Sequence, residues 1–109
     1  MQIIEVSELR DRLASGSIHL LDVRSAEELE CARITGPLTH IPLQELPQRL
    51  EELGGGSNLQ APIAVLCHHG MRSEVAARFL ERNGFTDVSN VSGGIDAWSV
   101  SVDPSVPRY

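Results

Sequence analysis

Basic side chains are scarce. Nine of them against fifteen acidic ones leave a formal net charge of −6, which opposes general affinity for phosphate backbones or anionic lipid. Neither nucleic acid nor membrane is an expected partner. No stretch approaches the roughly 20 apolar residues of a membrane span. The start MQIIEVSELRDRL lacks a basic segment followed by an apolar one, so no secretory leader is read there and the expected location is the cytoplasm. Only two cysteines occur, Cys31 and Cys67, and without a secretion signal they are expected to stay reduced. Repeats and low-complexity segments are missing, and Gly54-Gly55-Gly56 is too short to link domains. The 109 residues, 41% of them hydrophobic, suffice for one modest core. One domain over 1–109 is expected, with an irregular tail from about 100 to 109 that lies on the surface or frays from it, since two prolines break any periodicity there.

Ile3 and Ile4 read as a short opening strand. Ser7 is placed to cap a helix whose apolar face is Leu9, Leu13 and Ala14, with Gly16 ending it. Ile18 to Val23 is apolar and β-branched enough for a strand. Ser25, with Glu28 three residues on, has the pattern of a capping box opening a short helix. Leu46, Leu50 and Leu53 space as a helix that Pro47 opens and the three glycines close. Pro62 to Leu66 is a continuous apolar run, as in a central parallel strand. A helix through Val75, Ala76, Phe79 and Leu80 stops at Asn83-Gly84. Val88 to Val91 gives another strand, then Gly93-Gly94 and a brief turn carrying Trp98. Strands alternating with helices predict an α/β three-layer domain, a mainly parallel sheet flanked by helices, whose sites lie beyond the carboxyl ends of the strands.

Cys67 falls at such a place. The segment CHHGMRS at 67–73 joins the central strand to a helix, so its backbone N–H groups and the helix start favour an anion there. Gly70 supplies the backbone freedom for a tight loop, and Arg72 brings a permanent charge. The same field favours a thiolate, which makes Cys67 a candidate nucleophile at neutral pH. The competing reading, a small inert core cysteine, leaves the Cys, Gly and Arg spacing unexplained.

These residues resemble the rhodanese family over nearly the whole chain. In order, the pieces are DVRSAEEL at 22–29, RITG at 33–36, IP at 41–42, CHHGMRS at 67–73, NGF at 83–85 and GGIDAW at 93–98. The pattern departs from the family's at Ala32, Arg33 and Pro37. The resemblance implies a rhodanese-like fold and a sulfurtransferase that needs no cofactor. Cys67 would take a sulfane sulfur from a donor such as thiosulfate as a persulfide and pass it to cyanide, a thiol or an acceptor protein. Backbone N–H groups of His68, His69, Gly70, Met71, Arg72 and Ser73 would stabilise the persulfide anion. Arg72 has two open roles: facing the anion, or holding the loop through a carboxylate such as Asp22 or Glu28. His68 and His69 are expected to be solvated, with binding of an anionic donor when protonated, or tuning of the thiolate, as the alternatives. Asp22 and Arg24 are expected to support the scaffold, and Trp98 to sit in the core or as a lid.

Three rivals frame that reading. A persulfide carrier or redox module would hold sulfur without turnover. A phosphatase or arsenate reductase of related fold would need five residues between Cys and Arg, whereas only four separate Cys67 from Arg72. A zinc site at Cys67, His68 and His69 does not match usual ligand spacings, so no metal is expected.

Overall fold

The computed structural model describes residues 1–53 and 58–109; the expected closure of a helix by Gly54-Gly55-Gly56 lies outside the described residues. Five short strands, β1 (Gln2–Ile4), β2 (His19–Asp22), β3 (Thr39–His40), β4 (Ile63–Leu66) and β5 (Val88–Val91), form one parallel sheet in the order β1-β5-β4-β2-β3. The apolar run of β4 is buried at all four positions, as a central strand covered on both faces must be.

Alternation along β4 divides the core. Ala64 and Leu66 pack with Leu9 of α1 (Val6–Ala14) and with Ile95 and Trp98 of α4 (Gly94–Ser101). Ile63, Val65 and Cys67 face the other way, toward Ala76, Ala77 and Leu80 of α3 (Met71–Arg82) and toward Leu46. This is the three-layer α/β arrangement expected of the sequence. The remaining helix, α2 (Ala26–Cys31), carries the capping box: Ser25 Oγ accepts from the Glu28 N–H, and the Glu28 carboxylate accepts from the Ser25 N–H. No helix is long and apolar enough to cross a membrane among the described residues.

Several local expectations change. The first helix begins at Val6 behind an extended Glu5, so Ser7 lies inside the first turn and does not cap it; starting there puts both Val6 and Leu9 in the core. The leucines at 46, 50 and 53 lie on two 3-10 turns, Leu43–Gln48 and Leu50–Leu53, with Pro47 inside the first, where a ring without an N–H interrupts an α-helical ladder. Trp98 sits on an eight-residue helix rather than a brief turn. The tail is irregular only after Ser101, and it does not fray: Val106 is buried in the core with Trp98.

Candidate active site

Leu66 ends β4, and the next residue, Cys67, is only 1% exposed. The loop from here to α3 is short. Its bend is made at Gly70, whose φ of 114° is a conformation that side chains disfavour. That bend brings the Gly70 N–H to 3.0 Å from Cys67 Sγ, where it donates, while Ser73 Oγ, on the first turn of α3, lies 3.3 Å from the same sulfur.

The loop's carbonyls are taken up elsewhere. Cys67 O accepts from the Ile95 N–H at 2.9 Å and His68 O from the Asp96 N–H at 3.2 Å, so the loop satisfies two of the free N–H groups at the start of α4. Each trans peptide carries its N–H opposite its C=O; the amides of His68 and His69 are thereby turned away from α4. Only glycine permits this docking at position 94, because a Cβ there would stand 2.4 Å from His68 O. Gly70 O accepts from the Glu74 N–H and from Asn90 Nδ2. Asn90 Oδ1 in turn accepts from the Ser73 hydroxyl.

Arg72 is brought to the carboxylate and not to the sulfur. Its Nη1 and Nη2 donate to the two oxygens of Glu28 at 2.6 and 2.8 Å, which decides between the two roles left open by the sequence, and in favour of Glu28 over Asp22. Asp22 belongs to Arg24, which is 0% exposed and donates to it through Nε and Nη2. Tyr109 bridges the two pairs: its hydroxyl accepts from Arg24 Nη1 at 3.0 Å and donates to Glu28 at 2.7 Å. The Arg72 hydrogen bonds hold the Glu28 carboxyl well below the usual carboxylate range, against the opposing effect of burial. Burial is also the main reason that the Tyr109 hydroxyl is pushed up to about 12. For Arg24, burial works against the charge, but the hydrogen bonds to Asp22 and Tyr109 outweigh it and raise its pKa.

The two loop histidines differ. His69 is exposed, with Nε2 4.0 Å from an Asp96 oxygen. His68 is half-buried, its ring stacked between His69 and Tyr109 with centroids 3.9 Å from each. The expectation of a fully solvated pair is therefore corrected at His68, because Tyr109 covers one of its faces. Met71 is 81% exposed at the start of α3. His68, His69 and Asp96 bring possible metal-ligating atoms within 4.8 Å of one another, but Asp96 is already engaged by Arg108 at 2.9 and 3.2 Å. Cys67 is not part of that group.

Asn90, Arg108 and Tyr109 complete the surroundings of the loop without having stood out in the sequence, whereas Gly94 stood in the GGIDAW segment with no role assigned to it. For Asn90 a signal existed, since it is a polar residue next to the carboxyl end of the strand Val88–Val91. For Tyr109 there was none.

The comparisons agree with this geometry. The model of the rhodanese-like domain matches residues 5–101. A Bacillus subtilis protein named as a sulfur carrier, YrkF, is 45% identical over 83 residues, covering 76% of this chain and 42% of that protein. The thiosulfate sulfurtransferase GlpE of Vibrio cholerae is 30% identical over 95 residues, covering 87% of this chain and 85% of that enzyme. A rhodanese-related protein of Thermoplasma volcanium superposes over 100% of both chains with a TM-score of 0.81 and 30% identity. The chain spans less than half the length of the first curated relatives it matches. With its loop, sheet and full-length structural likeness in agreement, the chain belongs to the rhodanese-like domain family.

Proposed function

We propose that this protein transfers sulfane sulfur through a persulfide on Cys67. The observation that carries the proposal is the sulfur's position: it directly follows the central strand, before the start of α3, with the Gly70 N–H directed at it. In the first step the Cys67 thiolate attacks the outer sulfur of a donor such as thiosulfate. The Sγ–S bond forms, the donor's S–S bond breaks, and sulfite leaves with the electron pair. In the second step cyanide or a thiolate attacks the outer sulfur, and Sγ recovers its electron pair as the leaving group. Because Arg72 is neutralised by Glu28, the anion's stabilisation falls to backbone N–H groups of the loop and to the N-terminus of α3.

A carrier without turnover is the second reading, and the likeness to YrkF favours it. Intact mass after incubation with thiosulfate tests the shared chemistry: one sulfur atom gained, and removed by cyanide. A steady rate of thiocyanate formation supports the enzyme; a stoichiometric persulfide without turnover supports the carrier. Cys67→Ser should abolish the mass gain with the fold intact, and Cys31→Ser should leave it. The reverse pattern would sink the assignment of the nucleophile.

A further inference from the structure

Asn90 lies on β5, outside the cysteine loop, and is 6% exposed. Its amide nevertheless meets both polar groups that flank the sulfur's neighbours. Nδ2 donates to Gly70 O at 3.0 Å, and Oδ1 accepts from the Ser73 hydroxyl at 2.5 Å. Gly70 and Ser73 are the two residues whose polar atoms reach Cys67 Sγ among the described residues.

A count of hydrogens gives this arrangement a chemical meaning. Ser73 Oγ has one hydrogen and two neighbours competing for it, Asn90 Oδ1 at 2.5 Å and Cys67 Sγ at 3.3 Å. With the hydrogen on the Asn90 side, Ser73 offers the sulfur a lone pair. That suits a thiol, whose S–H then donates to Ser73 Oγ and completes a chain from sulfur to amide. It does not suit a thiolate, which has no hydrogen to give and needs one to accept.

We propose that Asn90 is a positioning residue for Cys67: it holds the Ser73 hydroxyl away from the sulfur until negative charge develops on Sγ. The rate consequence rests on the persulfide reading; the effect on the thiol itself does not. In a persulfide the charge sits on the outer sulfur, and Sγ needs no donor, so Ser73 stays on Asn90. When an acceptor removes the outer sulfur, the S–S electron pair returns to Sγ, and the Ser73 hydroxyl turns to donate to it. Asn90 Oδ1 loses its donor at that moment, a cost that sets how strongly the leaving thiolate is favoured. Asn90 thus keeps the resting thiolate from being overstabilised, which would blunt it as a nucleophile.

The charged and titratable groups around the sulfur are balanced without Asn90. Arg72 of α3 is paired with Glu28 of α2, Asp22 at the end of β2 with Arg24, and Asp96 of α4 with Arg108. His68 and His69 remain in the loop, and the variants below leave all of these in place.

The test is the pH profile of Cys67 alkylation by iodoacetamide, measured with no sulfur donor in Cys31→Ser protein. Asn90→Leu keeps the branched outline, with somewhat more bulk, and removes the acceptor, so the freed Ser73 hydroxyl donates to Sγ. The profile should move to lower pH by about one unit, the scale of one hydrogen bond to a charged group, with alkylation below the original midpoint faster by about threefold, because the more stable thiolate is the weaker nucleophile. In the Ser73→Ala background the same substitution should have little effect. Asn90→Asp, of nearly identical shape, serves if the leucine variant does not fold: its carboxylate holds the Ser73 hydrogen more firmly, and the profile should move to higher pH, by less when Ser73 is Ala. A profile that does not move, moves oppositely, or moves equally with and without the Ser73 hydroxyl overturns the proposal. Because no persulfide is needed for alkylation, these outcomes are independent of the thiosulfate mass experiment that tests the function.

Discussion

Arg72 and Glu28, 44 positions apart in the chain, meet as a two-pronged pair at 2.6 and 2.8 Å that ties the start of α3 to α2. The fork geometry matters more than the charge, because a lysine offers a single ammonium where two parallel donors are used. Arg72→Lys should therefore lower thermal stability by several degrees, on the scale of about 1 kcal/mol for a half-exposed pair. Sulfur transfer should fall with it, since the loop is no longer held at its α3 end. Thermal melts and sulfur-transfer kinetics on the same preparations check this; unchanged values in both would remove the clamp role.

Acid should dissolve the same contact. The Glu28 carboxyl is held below its ordinary value of 4.5 chiefly by the Arg72 hydrogen bonds. A depressed carboxyl contributes stability that is fully present above the unfolded-state value and is lost as pH falls through the folded-state value. Glu28→Gln should keep a capping-box acceptor at the third helical position but lose this contribution. The wild-type protein should melt higher than the variant at pH 7, with the gap narrowing below about pH 4.5. A gap of equal size at pH 7 and at pH 3 would show that the charge is not what Glu28 supplies.

The sequence made the sheet and the position of the nucleophile candidate legible because both depend on local patterns. An unbroken apolar run such as Ile63–Leu66 requires cover on both faces, and a glycine-containing turn from such a strand into a helix leaves little freedom in where Cys67 lies. Contacts between distant segments were legible at most as alternatives. Glu28 stood out as a helix cap and as one of two carboxylates that Arg72 could reach, but only the folded chain shows that both its oxygens meet Arg72. Tyr109 lies 81 residues from Glu28, and two prolines before it suggested only an irregular tail. The two-residue β3 is too short for any periodicity, and Pro47 disguised two tight turns as one helix.

Gly94 should be as sensitive as any loop residue, although it belongs to α4. A methyl group there would stand 2.4 to 2.6 Å from the His68 carbonyl group and 2.5 Å from Cys67 O, and φ is +63°. The obstacles are backbone atoms, which cannot swing aside as a side chain can. Gly94→Ala should push the cysteine loop off α4, break the Ile95 and Asp96 hydrogen bonds to it, and cost roughly 2 kcal/mol or more. The expected readout is a lower melting temperature together with a loss of sulfur transfer greater than the fraction unfolded explains. Wild-type kinetics in a folded Gly94→Ala protein would mean that the loop is not held by α4.

The loop should also discriminate sulfur from phosphate. A transferring phosphoryl group presents three peripheral oxygens that need donors and positive charge. Four residues between Cys67 and Arg72 make a narrow cradle, and the one guanidinium of that loop is committed through both terminal nitrogens to Glu28. A single persulfide sulfur asks for less: one charge, spread over one large atom, within reach of backbone N–H groups. The protein should therefore acquire sulfur from thiosulfate or mercaptopyruvate and release no measurable phosphate from aryl phosphates. Freeing the arginine with Glu28→Gln is the sharper version of the test, since it restores a cation without widening the loop. If loop size is decisive, that variant still hydrolyses no phosphate ester; if the arginine's pairing is decisive, hydrolysis that depends on Cys67 appears. Cys67-dependent phosphate release by the unmodified protein, faster than its sulfur transfer, would overturn both the cradle argument and the proposed chemistry.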